Sequence, residues 1–234
     1  MESQGPLRQG NYEGVISGPV VNTAFWMLML ENGEFWTIYG NYDSQNVLRV
    51  TGFIQGTGTS NDVSFTSSNA KDYMWDYYGH YQSAVNGNLS ATYDNSAGTF
   101  SGTFIEAGGI SQFSGGPMTR STYNYNTPAN LADISGSWYL DAPDAGVVVS
   151  IDPSGSFTGL SAYGCFMSGN IVPRPSGKNV FNVTIWFSGS PCDLANQTAT
   201  GIASAYPLSN GRTHLIVAGM DASRSYGAVL FGTR

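Results

Sequence analysis

Gly87-Asn88-Leu89-Ser90-Ala91-Thr92-Tyr93 and Gly201-Ile202-Ala203-Ser204-Ala205-Tyr206 read as two versions of one strand, each led by a glycine and closed by a tyrosine. The matches around them extend the likeness. Asn11-Tyr12-Glu13-Gly14 and Ile134-Ser135-Gly136-Ser137-Trp138 open the two halves on a Gly-flanked aromatic strand. Tyr39-Gly40 and Tyr163-Gly164 follow a third strand, and Ala107-Gly108 and Ala218-Gly219 precede a last one. A chain that repeats its own punctuation is an internal duplication, which decides fold class more firmly than local propensity.

Between these marks the sequence alternates. Leu89, Ala91 and Tyr93 alternate with Asn88, Ser90 and Thr92, and Phe181, Val183, Ile185 and Phe187 with Asn182 and Thr184. That period gives a strand one buried and one wet face. Strands are expected near 11–17, 23–31, 34–41, 46–56, 62–67, 84–93, 98–106 and 109–115, and again near 134–141, 145–151, 155–162, 164–172, 179–187, 197–206, 212–220 and 225–233. Asp94-Asn95-Ser96-Ala97-Gly98, Asp152-Pro153-Ser154-Gly155 and Ser209-Asn210-Gly211 carry hairpin chemistry. Neighbouring strands should therefore pair in sequence order, and closing the meander removes its exposed edges. The expected fold is all-β: two tandem antiparallel up-and-down barrels of about eight strands each. Residues 1–10 read as a polar tether, 11–118 and 131–234 as the barrels, and 119–130 as a linker whose Tyr123 and Tyr125 pack against a barrel. Mid-strand Gly52, Gly102, Gly159 and Gly169 suit the bends of small barrels.

Composition excludes several classes of function. Charged residues are 11% of the 234, against about 25% in ordinary soluble domains. The net charge is −7 and the only lysines are Lys71 and Lys178, so the cationic stripe that phosphates require is missing. A nucleic-acid partner is not expected. The longest apolar run, Ala24–Leu30, falls well short of the ~20 residues of a spanning helix. No apolar segment of the leader type opens the chain.

Enzymatic chemistry is poorly supplied. The histidines are His80 and His214, and His214 is read as solvated beside a turn. No nucleophile elbow, phosphate-binding glycine loop or metal-ligand spacing is present, and the paired carboxylates Glu31/Glu34 and Asp141/Asp144 flank turns. No cofactor, metal or catalytic residue is expected. Cys165 and Cys192 are expected to form a disulfide, which suits an exported protein; the alternative is two buried thiols.

The halves differ at one place. Asn69-Ala70-Lys71-Asp72-Tyr73-Met74-Trp75-Asp76-Tyr77-Tyr78-Gly79-His80-Tyr81 is extra in the first and reads as a long loop with a helical turn at Ala70–Trp75. Tyr73, Trp75, Tyr77, Tyr78, His80 and Tyr81 make it the candidate binding surface, because flat rings with polar edges are enriched where partners bind. Alternatively, the same rings plug a barrel mouth or the contact between barrels.

The stretch Gly164-Cys165-Phe166-Met167-Ser168-Gly169-Asn170-Ile171, with Cys192, Gln197–Ala203, Ile216–Asp221 and the closing Phe231-Gly232-Thr233-Arg234, resembles uncharacterised Gram-negative envelope lipoproteins with tandem β-barrel repeats. Residues 2–10 are similar to the polar segment behind a lipidated cysteine in such proteins, although Met1 stands where that cysteine would be. The resemblance implies an outer-membrane-anchored or periplasmic location, an anchor upstream of residue 2, and no activity. The expected function is a non-catalytic binding or structural module that presents loops to an envelope protein or a glycan. The alternative is a small-ligand carrier, which eight-stranded barrels are just wide enough to be. A membrane-spanning barrel is not expected, because the alternate faces carry Ser, Thr and Asn where a lipid-facing band must be apolar.

Overall fold

Each hairpin begins with a turn that the sequence enforces. Asp94 Oδ1 accepts the backbone N–H groups of Ser96 and Ala97, and Gly98 then takes φ +69°. Asp152 Oδ1 does the same for Ser154 and Ser156, with Gly155 at φ +89°. A carboxylate holding two amides fixes the reversal, and a glycine tolerates the left-handed residue that follows.

The computed structural model describes residues 9–19, 22–75 and 82–234. Strands β1 (Gly10–Ser17), β2 (Asn22–Met29), β3 (Glu34–Tyr42), β4 (Leu48–Thr57), β5 (Thr59–Ser60), β6 (Ser64–Met74), β7 (Val85–Asp94), β8 (Thr99–Glu106) and β9 (Gly109–Pro117) form the first sheet. It runs β4-β3-β2-β1-β9-β8-β7-β6-β5 and closes through β4–β6, leaving the two-residue β5 as a strap. β10 (Gly136–Asp141), β11 (Gly146–Ile151), β12 (Ser156–Ser161), β13 (Phe166–Pro173), β14 (Phe181–Phe187), β15 (Thr198–Pro207), β16 (Thr213–Asp221) and β17 (Gly227–Thr233) close into the second barrel in sequence order. The chain is thus two eight-stranded antiparallel barrels in tandem, the first sheet ending at Pro117 and the second barrel beginning at Gly136.

Two of the sequence matches hold in three dimensions. The opening strands correspond, and the Gly-led, Tyr-closed strand is β7 in one barrel and β15 in the other, the sixth wall strand of each. The other two do not. Gly40 lies inside β3 at a register shift, whereas Gly164 sits in a turn at φ +87°. Ala107-Gly108 is a turn, whereas Ala218 and Gly219 are paired within β16. The expected helical turn at Ala70–Trp75 is also corrected. Ala70, Lys71 and Asp72 pair with Gly87, Asn86 and Val85, so this stretch extends β6.

Rings laid over glycines fill much of the first lumen, and one such pair stands in the second. Phe25 pairs with Gly14, Tyr39 with Gly52, Phe35 with Gly56, Phe113 with Gly102, Phe100 with Gly115 and Phe157 with Gly169. A Cβ on Gly102 would stand 2.7 Å from Phe113 Cζ, and one on Gly52 would stand 2.3 Å from Tyr39 Cζ. The second lumen holds Leu140, Val149, Ile151, Phe181, Val183, Ile185 and Phe187, all buried. Its base is closed by Trp138. The indole N–H donates to the Ile134 carbonyl at 2.6 Å, and the Arg234 guanidinium lies 4.2 Å from the ring. The linker packs as expected on the second barrel. Tyr123 meets Tyr206 edge-on, its hydroxyl donates to the Asn179 carbonyl, and Lys178 stands over Tyr125.

Among the described residues, cavities of about 20 and 10 Å³ stand in the first lumen and one of about 40 Å³ at one end of the second. These admit a water or two, whereas an organic ligand needs about 300 Å³ or more.

The glycine–ring fit gives a direct prediction. A Cβ on Gly169 would meet the Thr184 carbonyl oxygen at 1.9 Å and Phe157 at 2.9 Å, whereas one on Gly189 meets nothing nearer than 3.7 Å. Gly169→Ala should therefore cost about 1–3 kcal/mol in chemical denaturation, as overpacking does. Gly189→Ala should stay within about 0.5 kcal/mol.

Candidate functional site

The aromatic segment divides between core and undescribed residues. Tyr73 is 2% exposed and stacks on Phe53 with centroids 4.5 Å apart, and Phe53 in turn stacks on Trp36 at 5.6 Å. It is a core ring here, not part of an exposed surface, because odd-numbered positions at the end of β6 face away from the lumen into this stack. Trp75 is half-buried. Tyr77, Tyr78, His80 and Tyr81 lie outside the described residues.

The neighbour that sequence reasoning passed over is Asp72, whose side chain points into the first lumen. Its Oδ1 accepts a hydrogen bond from the Tyr39 hydroxyl at 2.7 Å, and the carboxyl is 1% exposed. Oδ2 and both carboxylate oxygens of Glu106 are buried without a hydrogen-bond partner among the described residues. Burial pushes the Asp72 carboxyl up to about 7; the charge of Glu106 adds to the rise, while the Tyr39 hydroxyl opposes it. Burial raises Glu106 too, and it raises Tyr39, which also faces the Asp72 charge. The result is an acidic layer in the first lumen, suited to holding a proton at neutral pH.

His214 is corrected as well. It is fully buried, not solvated, with Nδ1 2.7 Å from the Tyr206 hydroxyl. Cys165 and Cys192 are bridged. The bridge ties the β12–β13 turn to the β14–β15 loop.

A second feature lies on the outer wall of the second barrel. Tyr139 pairs with Val148, Val148 with Leu160, and Leu160 with Phe166, so one outward row crosses β10 to β13. All four are exposed, Tyr139 at 65% and Phe166 at 41%. Trp186, 44% exposed on β14, lies diagonally from Phe166, and Tyr163 projects from the turn beside it at 69%. The adjoining outward row is Ser137, Ser150, Thr158, Ser168, Trp186 and Thr198, and the next includes Ser156, Asn170, Thr184 and Thr200. Strands β11 to β14 contain no charged residue. Sequence reasoning missed this row because it assigned apolar residues to the lumen. The available signal was the unbroken apolar triplets Trp138-Tyr139-Leu140, Val147-Val148-Val149 and Ile185-Trp186-Phe187, whose central member must face out.

Among the described residues no helix is long and apolar enough to cross a membrane, and no group of three or more acidic, histidine or cysteine side chains is placed to hold a metal ion. No known protein family matches the chain, and no curated protein is significantly similar to it.

The buried carboxyl and the bridge each predict a measurable response. Asp72 is raised above its unfolded value, so the folded state holds the extra proton and stability falls as pH rises from about 4 to about 7. Asp94, Asp152 and Asp221 are held low by their turn hydrogen bonds, and their contribution is lost only as pH drops below about 4. The wild type should lose about 2–3 kcal/mol between about pH 5 and pH 8, and Asp72→Asn, which keeps an acceptor for Tyr39, should lose much less. Equal pH dependence in the two proteins would refute the assignment. For the bridge, intact mass after alkylation without reductant should show no label; reduction should expose both thiols and cost about 3 kcal/mol of stability.

Proposed function

We propose that the chain is a non-catalytic binding module of the bacterial cell envelope that meets its partner on the outside of its barrels. The filling of both lumens is the observation that carries this reading. A carrier needs interior volume, and cavities of about 40, 20 and 10 Å³ offer none to an organic ligand. Apolar side chains left on an outer wall are the complementary feature, since contiguous exposed apolar surface marks interaction sites. The Cys165–Cys192 bridge fits an oxidising compartment. The likeness of residues 2–10 to the segment behind a lipidated cysteine fits anchorage at the outer membrane.

Native mass spectrometry of protein purified without denaturant tests the reading against the carrier alternative. The expected spectrum is that of the chain alone, with no small organic molecule retained. A stoichiometric adduct of a few hundred daltons that leaves on unfolding would overturn the reading in favour of a carrier.

A further inference from the structure

We infer that the outer wall of β12–β14 is a binding platform for an uncharged polysaccharide, an inference that rests on the binding-module reading and names the partner class. Leu160, Phe166 and Trp186 present apolar surface on three adjacent strands, with Tyr163 beside them on the turn. Hydroxyl and amide side chains border them on the same wall: Thr158 and Ser168 in one row, Ser156, Asn170 and Thr184 in the next. A pyranose ring has the matching chemistry. Its C–H faces lie flat on aromatic and aliphatic side chains, while its equatorial hydroxyls exchange hydrogen bonds with neutral polar groups.

Charge selects among the possible occupants. The three strands carry no acidic or basic residue, so the platform offers no counter-charge to a phosphate, a sulfate, a uronic acid or an acidic peptide. Anionic membrane surfaces are disfavoured for the same reason, with the chain at a net −7. A folded protein partner fits less well. Stable protein interfaces bury about 800 Å² per side around an apolar centre, often anchored by arginine. Here the exposed apolar groups amount to a line of side chains with hydroxyl rows alongside, not a disc. A chain of sugars needs only such a strip, and the strip crosses strands spaced about 4.8 Å apart, so it can engage successive rings of a polymer.

The platform is also pre-formed. Phe166 and Trp186 stand on paired strands with Met167 and Phe187 packed beneath them in the lumen, and the disulfide fixes the turn that bears Tyr163. A rigid aromatic site loses little entropy on binding.

Native affinity electrophoresis provides the test, in gels cast with a soluble β-glucan, galactomannan, arabinoxylan or dextran. We expect at least one of these neutral polymers to retard the wild-type protein. Trp186→Ala with Phe166→Ala should weaken retardation at least tenfold with an unchanged melting temperature, and Trp186→Tyr, which keeps a stacking ring, should largely preserve it. Retardation by none of the polymers overturns the ligand class, and retardation unaffected by the double variant overturns the site. Flotation with phosphatidylcholine vesicles, or self-association in ultracentrifugation, that the double variant abolishes would reassign the row to a membrane or a second copy and also overturn the inference. The native mass spectrum remains independent of these outcomes, so loss of the platform and loss of the binding-module reading are separable.

Discussion

An eight-stranded barrel leaves a lumen just wide enough for side chains to fill; the first barrel fills much of it with rings that need a bare backbone beside them, and the second, filled mainly by aliphatic side chains, uses the same device once. Phe25, Phe35, Tyr39, Phe100 and Phe113 in the first barrel, and Phe157 in the second, each lie across a paired glycine. Glycine in a strand ordinarily weakens it. Here the ring recovers the packing and shields the exposed backbone, so the two residues work as one unit. This explains why so glycine-rich a chain folds into sheet, and why the glycines face inward opposite aromatics instead of marking only turns.

Filling the lumens transfers any recognition to the surface. The first lumen carries a buried acidic pair in the Tyr39–Asp72–Glu106 layer, where burial keeps the Asp72 carboxyl near neutrality and makes stability depend on pH. On the second barrel, strands β10–β14 put apolar residues in the lumen and polar ones outside, except along the row from Tyr139 to Phe166, at Trp186 and at Val172. A wall rich in hydroxyl and amide side chains gains nothing for folding from an exposed tryptophan, which is why that row points to binding.

The architecture was legible in the sequence because it rests on alternation and turn chemistry, both local. Asp94 and Asp152 announce their turns, and the strand bounds read from them fall within a few residues of those in the structure. Features that depend on closure were not legible. Asn69–Met74 has loop-like polarity, yet it is strand because β7 offers it a partner. Asp72 was hidden within it, since only the inward parity of an extended β6 buries that carboxyl. His214 reads as solvated beside its turn, but β16 is buried on both faces. Tyr39-Gly40 and Tyr163-Gly164 look alike as letters and differ in role, one a register shift within a strand and the other a turn. The outer row required knowing which parity faces the lumen, after which the apolar triplets around Tyr139, Val148 and Trp186 declare it.

Proton NMR tests the central claim most directly. A ring stacked over a glycine shifts that residue's Hα resonances upfield through its ring current. The account predicts strongly upfield Hα signals for Gly14, Gly52, Gly56, Gly102, Gly115 and Gly169, with Gly177 and Gly211, whose surroundings are open, near their unfolded positions. Ordinary shifts at the six paired glycines would contradict it, because the rings would then lie elsewhere and the lumens would not be filled in this way.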